Sequence, residues 1–235
     1  MTRVVLREAD LVVVDDVLPP ADFRSVSQEV ADGDYRWVHA QRWDKSWRLW
    51  DGHPLRGEGV HYDPMGSFGG RGARYPTSTA VDVLVDVIRR MADANPEVAG
   101  TEGVDWAALY LCPWLYPPGS ALAPHRDAVS YAGSFTFFVH MRWNTHWGGE
   151  LVVARPHADG SATRSASARP AELPWLSEEP EEVADDPGLA TCISPNPNRL
   201  VLLGEKRLHR IARVDQNAGT HVRASIAGFF LRAPR

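Results

Sequence analysis

Short apolar runs separated by Pro and Gly dominate the chain beyond Trp106. They read ALYLCPWLY, SFTFFVHMRW, GELVVA, RLVLLG and RASIAGFFLR. Runs of this length, rich in β-branched and aromatic residues and bounded by turn-forming residues, are typical of strands. Several of them in succession predict an antiparallel sandwich or barrel.

One of these runs alternates strictly between two kinds of side chain. Side chains two residues apart in a strand point to the same face of the sheet. The mostly polar face carries Ser134, Thr136, Phe138, His140 and Arg142, and the apolar face carries Phe135, Phe137, Val139, Met141 and Trp143. We expect the apolar face to pack in the core, which leaves the other face to line a pocket.

The pattern in the first half of the chain predicts one strand and two helices. The β-branched run 11–14 precedes Pro20, a residue favoured at a helix start, so a helix is expected over 21–31. Apolar positions then recur at helical spacing from Val81 to Ile88, after N-cap candidates at 77–79. This second helix is expected to end near Asn95-Pro96.

Two long stretches carry no regular pattern. Residues 33–76 are rich in Gly and aromatics, and residues 155–198 are rich in Pro, Ser and Ala before an acidic run. Connections of this length in a compact domain often act as lids, and the sequence leaves open which of the two does so. Trp37, Trp43, Trp47 and Trp50 lie in the first stretch, where core packing competes with a role as a substrate-pocket wall.

Length and charge narrow the class of protein. A chain of 235 residues is expected to form one domain, and its net charge of −5 gives no general attraction to nucleic acid or anionic lipid. No apolar run is long enough to span a membrane, and acids occur early in the N-terminal segment, so we expect a cytoplasmic location. Cys112 and Cys192 lack CxxC spacing and are expected to be buried free thiols.

The candidate chemistry begins with His125 and Asp127. In an extended segment both side chains point to one side and can reach a single metal ion, although an HxD pair alone is a weak signal. His209, which follows an apolar strand, can supply a third ligand. Two imidazoles and one carboxylate on one face of an iron leave positions open for substrate oxygens and dioxygen. Arg223 and Ser225 share a face of another strand, where a guanidinium fork suits the carboxylate of a small dicarboxylate.

The region from Tyr110 to Leu231 resembles the iron(II)- and 2-oxoglutarate-dependent oxygenases, in particular the prolyl-hydroxylase-like branch. The motifs are Tyr116-Pro-Pro-Gly119, His125-x-Asp127, Trp147-Gly-Gly-Glu-Leu151, Asn198-Arg-Leu-Val, His209 and Arg223-x-Ser225. The resemblance implies a mainly β fold with flanking helices. Its core would be a distorted double-stranded β-helix, a jelly roll like that of cupins, over about 106–235, with a long insertion at about 155–198. N-terminal helices and loops, over about 1–105, would pack on one sheet.

The same resemblance assigns roles to residues. His125, Asp127 and His209 would hold Fe(II), and Arg223 would bind the distal carboxylate of 2-oxoglutarate with Ser225 nearby. The resemblance adds three residues to the cosubstrate pocket. Tyr116 occupies the place of a tyrosine that lines this pocket in similar enzymes. Thr136 and His140 lie on the strand face where similar enzymes usually carry another tyrosine. O2 would be the co-oxidant, and ascorbate the reductant in vitro. A carboxylate at position 127 favours hydroxylation over halogenation, but leaves desaturation, epoxidation and cyclisation open.

Several alternatives stay open at this point. The substrate is expected to be a small molecule, such as an amino acid or a biosynthetic intermediate, with a peptide or protein side chain as the alternative. A non-oxidative cupin-like metalloenzyme and a sensor that lost turnover are competing classes, and the oligomeric state is unreadable. The other histidines have no ligand-like spacing to the triad and are expected to be solvated or hydrogen-bonded: His39, His53, His61, His146, His157 and His221.

Overall fold

The computed structural model describes residues 2–38, 51–69, 72–155 and 189–233. The strands in this part of the chain are β1 (Arg3–Glu8), β2 (Leu11–Asp15), β3 (Arg36–Trp37), β4 (Leu55–Arg56), β5 (Val60–Tyr62), β6 (Ala73–Arg74), β7 (Ala108–Tyr116), β8 (Leu122–His125), β9 (Tyr131–Phe138), β10 (Leu151–Ala154), β11 (Ala190–Ile193), β12 (Leu200–Gly204), β13 (His209–Ile211) and β14 (Arg223–Leu231). The α-helices are α1 (Pro20–Asp32), α2 (Val81–Asp93) and α3 (Pro96–Ala99).

The strands form two sheets. The major sheet has the order β1-β2-β12-β9-β14-β7-β4-β3, with β5 and β6 attached beside β7, and the minor sheet has the order β11-β10-β13-β8. Neighbouring strands are antiparallel except for β5 and β6, which are parallel. The predicted jelly roll is confirmed.

Two apolar cores lie on either side of the major sheet. The helices pack on its outer face, where Phe23 of α1 meets Phe137 of β9 edge to face at 6.2 Å between ring centroids. The inner core joins the two sheets through residues such as Phe138 of β9, Leu151 of β10 and Ile211 of β13. The predicted packing of N-terminal helices on one sheet is therefore confirmed.

The alternation predicted for the run that became β9 holds only in part. Phe135, Phe137 and Val139 face the helices as expected. The strand ends at Phe138, however, so the pattern does not continue to His140 and Arg142. On the apolar side, Met141 is exposed and Trp143 packs against the inner core instead. Backbone pairing with β12 and β14 stops near Phe138, and without that pairing the two-residue period is lost.

The two expected helices are confirmed, with one difference at a start. The residue before α2 is Ala80, which cannot cap it with a side chain. Asp82, in the first turn, instead accepts the backbone N–H groups of Thr77 and Ser78 at 2.9 and 2.8 Å. A carboxylate at a helix N-terminus is also favoured by the helix dipole.

The stretches predicted to be irregular contain short strands. Strands β3 to β6 lie within 33–76, and β11 lies within 155–198. These strands are too short for an alternating pattern to show in the sequence. Pairing defines them: β4 and β5 pair with β7, β3 with β4, β6 with β5, and β11 with β10. Residues 39–50 and 156–188, with Trp43, Trp47, Trp50, His39 and His157, lie outside the described residues.

The cysteines differ from one another in exposure. Cys112 on β7 is buried as expected, whereas Cys192 on β11 is exposed. The prediction was wrong for Cys192 because β11 forms the edge of the minor sheet. No α-helix in the described part of the chain has both the length and the apolar character needed to cross a membrane.

Candidate metal and cosubstrate site

The structure brings His125, Asp127 and His209 together at one end of the inner core. The ligand atoms of the three side chains all lie within 4.8 Å of one another. Nε2 of His125 is 3.8 Å from Asp127 Oδ1, and Nε2 of His209 is 4.0 Å from Asp127 Oδ2. These separations are those of atoms that share a central cation, because ligands at about 2.0–2.2 Å from a metal stand roughly 3–4 Å apart. Within the described residues no other such group of His, Cys, Asp and Glu occurs.

Strand pairing explains how two distant histidines meet. His125 is the last residue of β8 and His209 the first of β13, and the two residues are directly paired in the minor sheet. Their rings lie 4.3 Å apart between centroids. Asp127 follows two residues after His125, where the strand has ended, and its carboxylate turns toward both imidazoles.

Each imidazole is oriented by a backbone carbonyl two residues earlier in the chain. His125 Nδ1 is 2.9 Å from the Ala123 carbonyl oxygen, and His209 Nδ1 is 2.8 Å from that of Arg207. A carbonyl can only accept, so Nδ1 carries the proton and the lone pair is on Nε2. This arrangement holds a metal-ligating histidine in the correct tautomer and ring orientation.

Further hydrogen bonds hold the segments that carry these two carbonyls. Ala123, whose carbonyl meets His125, donates its own N–H to the carboxylate of buried Asp51 at 3.3 Å. On the other side, Arg126 donates to the Lys206 carbonyl at 2.5 Å, which ties the HxD segment to the loop before His209. Sequence reasoning missed Asp51, because nothing in its local pattern reveals which strand it will reach.

Arg223 is completely buried at the start of β14. Its Nε donates to the Gly149 carbonyl at 2.7 Å, and its Nη1 donates to Ser225 Oγ at 3.1 Å. Burial lowers its pKa to about 10, which still leaves the guanidinium charged at neutral pH. Nη2 is buried without a hydrogen-bond partner in the described residues. A buried, unpaired donor on a charged group is costly, and a carboxylate would satisfy it.

Gly149 belongs to the Trp147-Gly-Gly-Glu segment and has a structural reason to be glycine. Its φ is +74°, and a Cβ there would lie 3.0 Å from Arg223 Cδ. A larger residue would therefore be strained and would press on the guanidinium stem. The sequence drew attention to this segment, but only the structure shows that it supports Arg223.

A cavity of about 230 Å³ contains the triad. Tyr116, Thr136 and Ser225, all singled out from the sequence, line it together with Trp114 and Tyr131, which were not. Burial raises the pKa of Tyr116 well above its ordinary value, so its phenol remains protonated. The ring of Tyr116 lies 5.1 Å from the guanidinium carbon of Arg223.

His140 lies apart from these lining residues. It follows the end of β9, and its Nε2 lies 2.5 Å from the Pro195 carbonyl while its Nδ1 accepts the Ala224 N–H at 3.3 Å. Burial lowers its pKa to about 4, with the charge of Arg223 adding to the effect, so the ring is neutral. Both ring nitrogens are thus used by the backbone. Its suggested contact with a cosubstrate carboxylate stays a prediction that this geometry does not favour.

The other described histidines do not join the triad. His221 stacks on Trp147 at 4.3 Å between ring centroids, and His61 packs against Tyr110 at 4.6 Å. His53 contacts the exposed Trp37, while His146 lies in a short 3-10 helix. They were expected to be solvated or hydrogen-bonded: His221 Nε2 lies 3.4 Å from Arg142 Nη2, and for the others this stays a prediction.

Comparisons with solved structures show the same fold. The chain is similar to a prolyl-4-hydroxylase from Pseudomonas putida, with a TM-score of 0.60 and 17% identity over 94% of this chain and 92% of that one. It is also similar to a Trichoplax adhaerens prolyl hydroxylase in complex with a hypoxia inducible factor peptide fragment, with a TM-score of 0.58 and 13% identity over 95% and 84% of the chains. A third similar structure is a 2OG-Fe(II) oxygenase family oxidoreductase from Burkholderia pseudomallei. Its TM-score is 0.56, with 15% identity over 98% of this chain and 91% of that one.

At these identities the similarity establishes the fold. No family model and no curated protein matches the sequence. The expected resemblance to prolyl-hydroxylase-like 2-oxoglutarate oxygenase structures is therefore confirmed at the level of the fold.

Proposed function

We propose that the chain is an Fe(II)- and 2-oxoglutarate-dependent dioxygenase that oxidises a small-molecule substrate. The observation that carries this proposal is the combination, in one two-sheet fold, of three convergent ligand atoms and a buried arginine whose Nη2 has no hydrogen-bond partner among the described residues. The triad alone would fit many metalloenzymes. The arginine, at the start of β14 in the major sheet, adds a preformed receptor for a carboxylate, while the triad histidines lie on β8 and β13 of the minor sheet.

His125, Asp127 and His209 would hold the iron. Bound Fe(II), with 2-oxoglutarate and O2, supplies an oxidant for C–H bonds as the cosubstrate is converted to succinate and CO2. The chain's own residues would do the positioning: the Nδ1 hydrogen bonds keep both Nε2 lone pairs directed at one point. Arg223 would grip the distal carboxylate, and the apolar inner core around Phe138 and Leu151 would exclude water from that end.

The substrate class rests on weaker support. The described cavity is small and lined by aromatic side chains, which favours a compact molecule such as an amino acid or a biosynthetic intermediate. A peptide or protein side chain is the second candidate, because one similar structure is a complex with a peptide fragment. Hydroxylation is the simplest outcome for a site with a carboxylate ligand.

A non-oxidative cupin-like metalloenzyme is the competing class. Such an enzyme could use the same His/Asp/His set, but it has no need of a buried guanidinium opposite the metal. Arg223 forms no salt bridge within the described residues: its direct contacts are a carbonyl, a hydroxyl and two aromatic rings, and the carboxylate of Glu150 acts on it only through the longer-range charge interaction. A buried guanidinium without a directly bound carboxylate favours an anionic ligand.

The test is turnover of the cosubstrate. Purified protein with Fe(II) and ascorbate is expected to convert 2-oxoglutarate to succinate, measured by chromatography, even without the prime substrate. Asp127→Ala and His209→Ala should abolish this conversion and weaken Fe(II) binding, while Arg24→Gln, on the exposed surface of α1, serves as the control. Undiminished turnover in either triad variant would refute the ligand assignment.

A further inference from the structure

A row of four side chains crosses the major sheet on the face that carries the cavity. Directly opposed residues in antiparallel strands share a face. Arg36 of β3 is paired with Arg56 of β4, Arg56 with Trp114 of β7, and Trp114 with Ser225 of β14. Ser225 and Trp114 line the cavity, so the two arginines extend that lining toward the edge of the sheet.

The residues next in sequence to the row show which face of the major sheet the row lies on. Tyr35 and Leu115, each next in sequence to a member of the row, pack against the core under the helices. Since successive residues in a strand point to opposite faces, Arg36 and Trp114 point away from the helices. The row therefore lies on the same side of the sheet as the triad.

Arg56 is held only by neutral groups. Its Nε donates to Cys112 Sγ at 3.2 Å, and its Nη2 donates to the Tyr110 hydroxyl. The guanidinium carbon lies 5.8 Å from the ring centroids of both Tyr110 and Trp114. Burial raises the pKa of the Cys112 thiol, so the sulfur carries no compensating charge. Nη1 makes no hydrogen bond within the described residues, and no acid pairs with this guanidinium there.

Arg36 adds a second positive charge directly opposite Arg56. It is exposed and forms neither a hydrogen bond nor an ion pair with any residue in 2–38, 51–69, 72–155 or 189–233. Like charges directly opposite one another on neighbouring strands are destabilising. Both guanidiniums are exposed. Two opposed guanidiniums beside a cavity, with no carboxylate between them in the part of the chain that the structure describes, form a site that an oxyanion would stabilise.

Tyr131 connects this pair of arginines to the metal site. Its ring stacks on Phe229 at 4.3 Å between centroids and lines the cavity. Burial raises the pKa of Tyr131, the charge of Asp127 raises it further, and the charge of Arg56 opposes both. One phenol is thus within electrostatic reach of a metal ligand and of Arg56.

We propose that Arg36 and Arg56 bind an oxyanion of the prime substrate, a carboxylate or a phosphate, while the rest of that substrate extends past Trp114 to the triad. Neighbouring strands are about 4.8 Å apart, so Arg56 stands roughly 10 Å from Ser225 across β7. A small molecule with an anionic end spans such a distance. This inference rests on the proposed oxygenase function and names the substrate class for it.

The test measures binding of anionic probes against matched neutral ones. Protein saturated with Zn(II) in place of Fe(II), and with 2-oxoglutarate, is titrated by ligand-observed NMR. The probes are amino acids and aryl carboxylates with their amides, and phosphate monoesters with their parent alcohols. At least one anion should bind wild-type protein about tenfold or more tightly than its neutral partner, as expected for charge-assisted pairing with a guanidinium.

Variants assign that preference to the two arginines. Arg56→Gln should bring the anion and its neutral partner to near-equal affinity, Arg36→Gln should reduce the preference in part, and Arg24→Gln, with the same change in charge on α1, should leave it unchanged. Arg56→Lys, which keeps a charge but loses the fork, should give an intermediate value, and it serves as the test if the Gln variant does not fold. A preference confined to carboxylates or to phosphates tells the two oxyanions apart.

Two results would overturn the inference. One is that no anionic probe binds wild-type protein better than its neutral partner, and the other is that Arg56→Gln retains the wild-type preference. Failure of the oxygenase proposal is recognised separately, because it would appear as absence of succinate formation by the wild-type protein with Fe(II) and 2-oxoglutarate.

Discussion

Replacement of Arg223 by Gln should selectively weaken binding of the distal carboxylate of 2-oxoglutarate. The guanidinium is fully buried and donates to Gly149 and Ser225, and its Nη2 has no hydrogen-bond partner in 2–38, 51–69, 72–155 or 189–233. Removing one partner of a buried charge-assisted pair costs about 2–5 kcal/mol. Since each 1.4 kcal/mol corresponds to a factor of ten, the dissociation constant of 2-oxoglutarate should rise by about 30-fold or more.

The assay compares two cosubstrates that differ only at the distal end. 2-Oxoglutarate and 2-oxopentanoate share the 2-oxo acid group, but the second carries a methyl group in place of the distal carboxylate. Each is titrated anaerobically into the Fe(II) form and followed by the metal-to-ligand charge-transfer band. Wild-type protein should prefer 2-oxoglutarate by about 30-fold or more, and Arg223→Gln should bind the two with similar affinity.

Controls separate this effect from a general loss of structure. Fe(II) affinity and melting temperature are measured for each variant, and Arg223→Lys, which keeps a charge, serves if the Gln variant does not fold. The comparison of the two acids on wild-type protein needs no variant. The reasoning would be refuted if wild-type protein failed to discriminate between the acids, or if folded Arg223→Gln discriminated as well as wild type.

Three further predictions concern residues around that arginine. Ser225→Ala removes the hydroxyl that accepts a hydrogen bond from Arg223 Nη1. In the same titration the affinity for 2-oxoglutarate should fall about fivefold, which corresponds to one hydrogen bond of about 1 kcal/mol. Gly149→Ala should lower both the melting temperature and the affinity for 2-oxoglutarate, because φ is +74° and the new Cβ would lie 3.0 Å from Arg223 Cδ. Unchanged values would contradict the inference that Gly149 supports Arg223. Folding lowers the pKa of His140 from 6.5 to about 4. Between these pH values the unfolded chain takes up a proton at His140 and the folded chain does not. The free energy of unfolding therefore has its full value above pH 6.5 and falls as the pH is lowered toward 4. In urea titrations His140→Gln should remove up to about 3 kcal/mol of that pH dependence, and an identical pH profile would show that His140 is not its source.

Local pattern was sufficient for much of the fold. Pro20 after a strand identified the start of α1. Apolar spacing identified α2, because a helix that packs on a sheet must repeat its apolar face every three to four residues. It also identified β7, β12 and β14, whose runs are long enough to show strand character. It could not identify β3 and β4, two residues each, since β4 is a strand only through pairing with β7 and β3 only through pairing with β4.

The same division runs through the candidate site. His125 and Asp127 could be paired from sequence because two-residue spacing in an extended segment is a local property. His209 and Arg223 were proposed from the strands beside them and from their side-chain chemistry, and the resemblance supported both. Neither argument showed which residues they contact. His140 was grouped with the pocket by extending an alternation past Phe138, where the strand ends and the ring is instead bound by backbone groups.

The amino-acid sequence by itself thus determined the ligand chemistry: which side chains can hold a metal, and which can hold a carboxylate. Tertiary structure decided which of them meet. Pairing of β8 with β13 sets His125 beside His209, and pairing across β3, β4 and β7 aligns Arg36, Arg56 and Trp114. The physical reason is that strand register depends on hydrogen bonds between segments far apart in the chain, and no local pattern encodes those bonds.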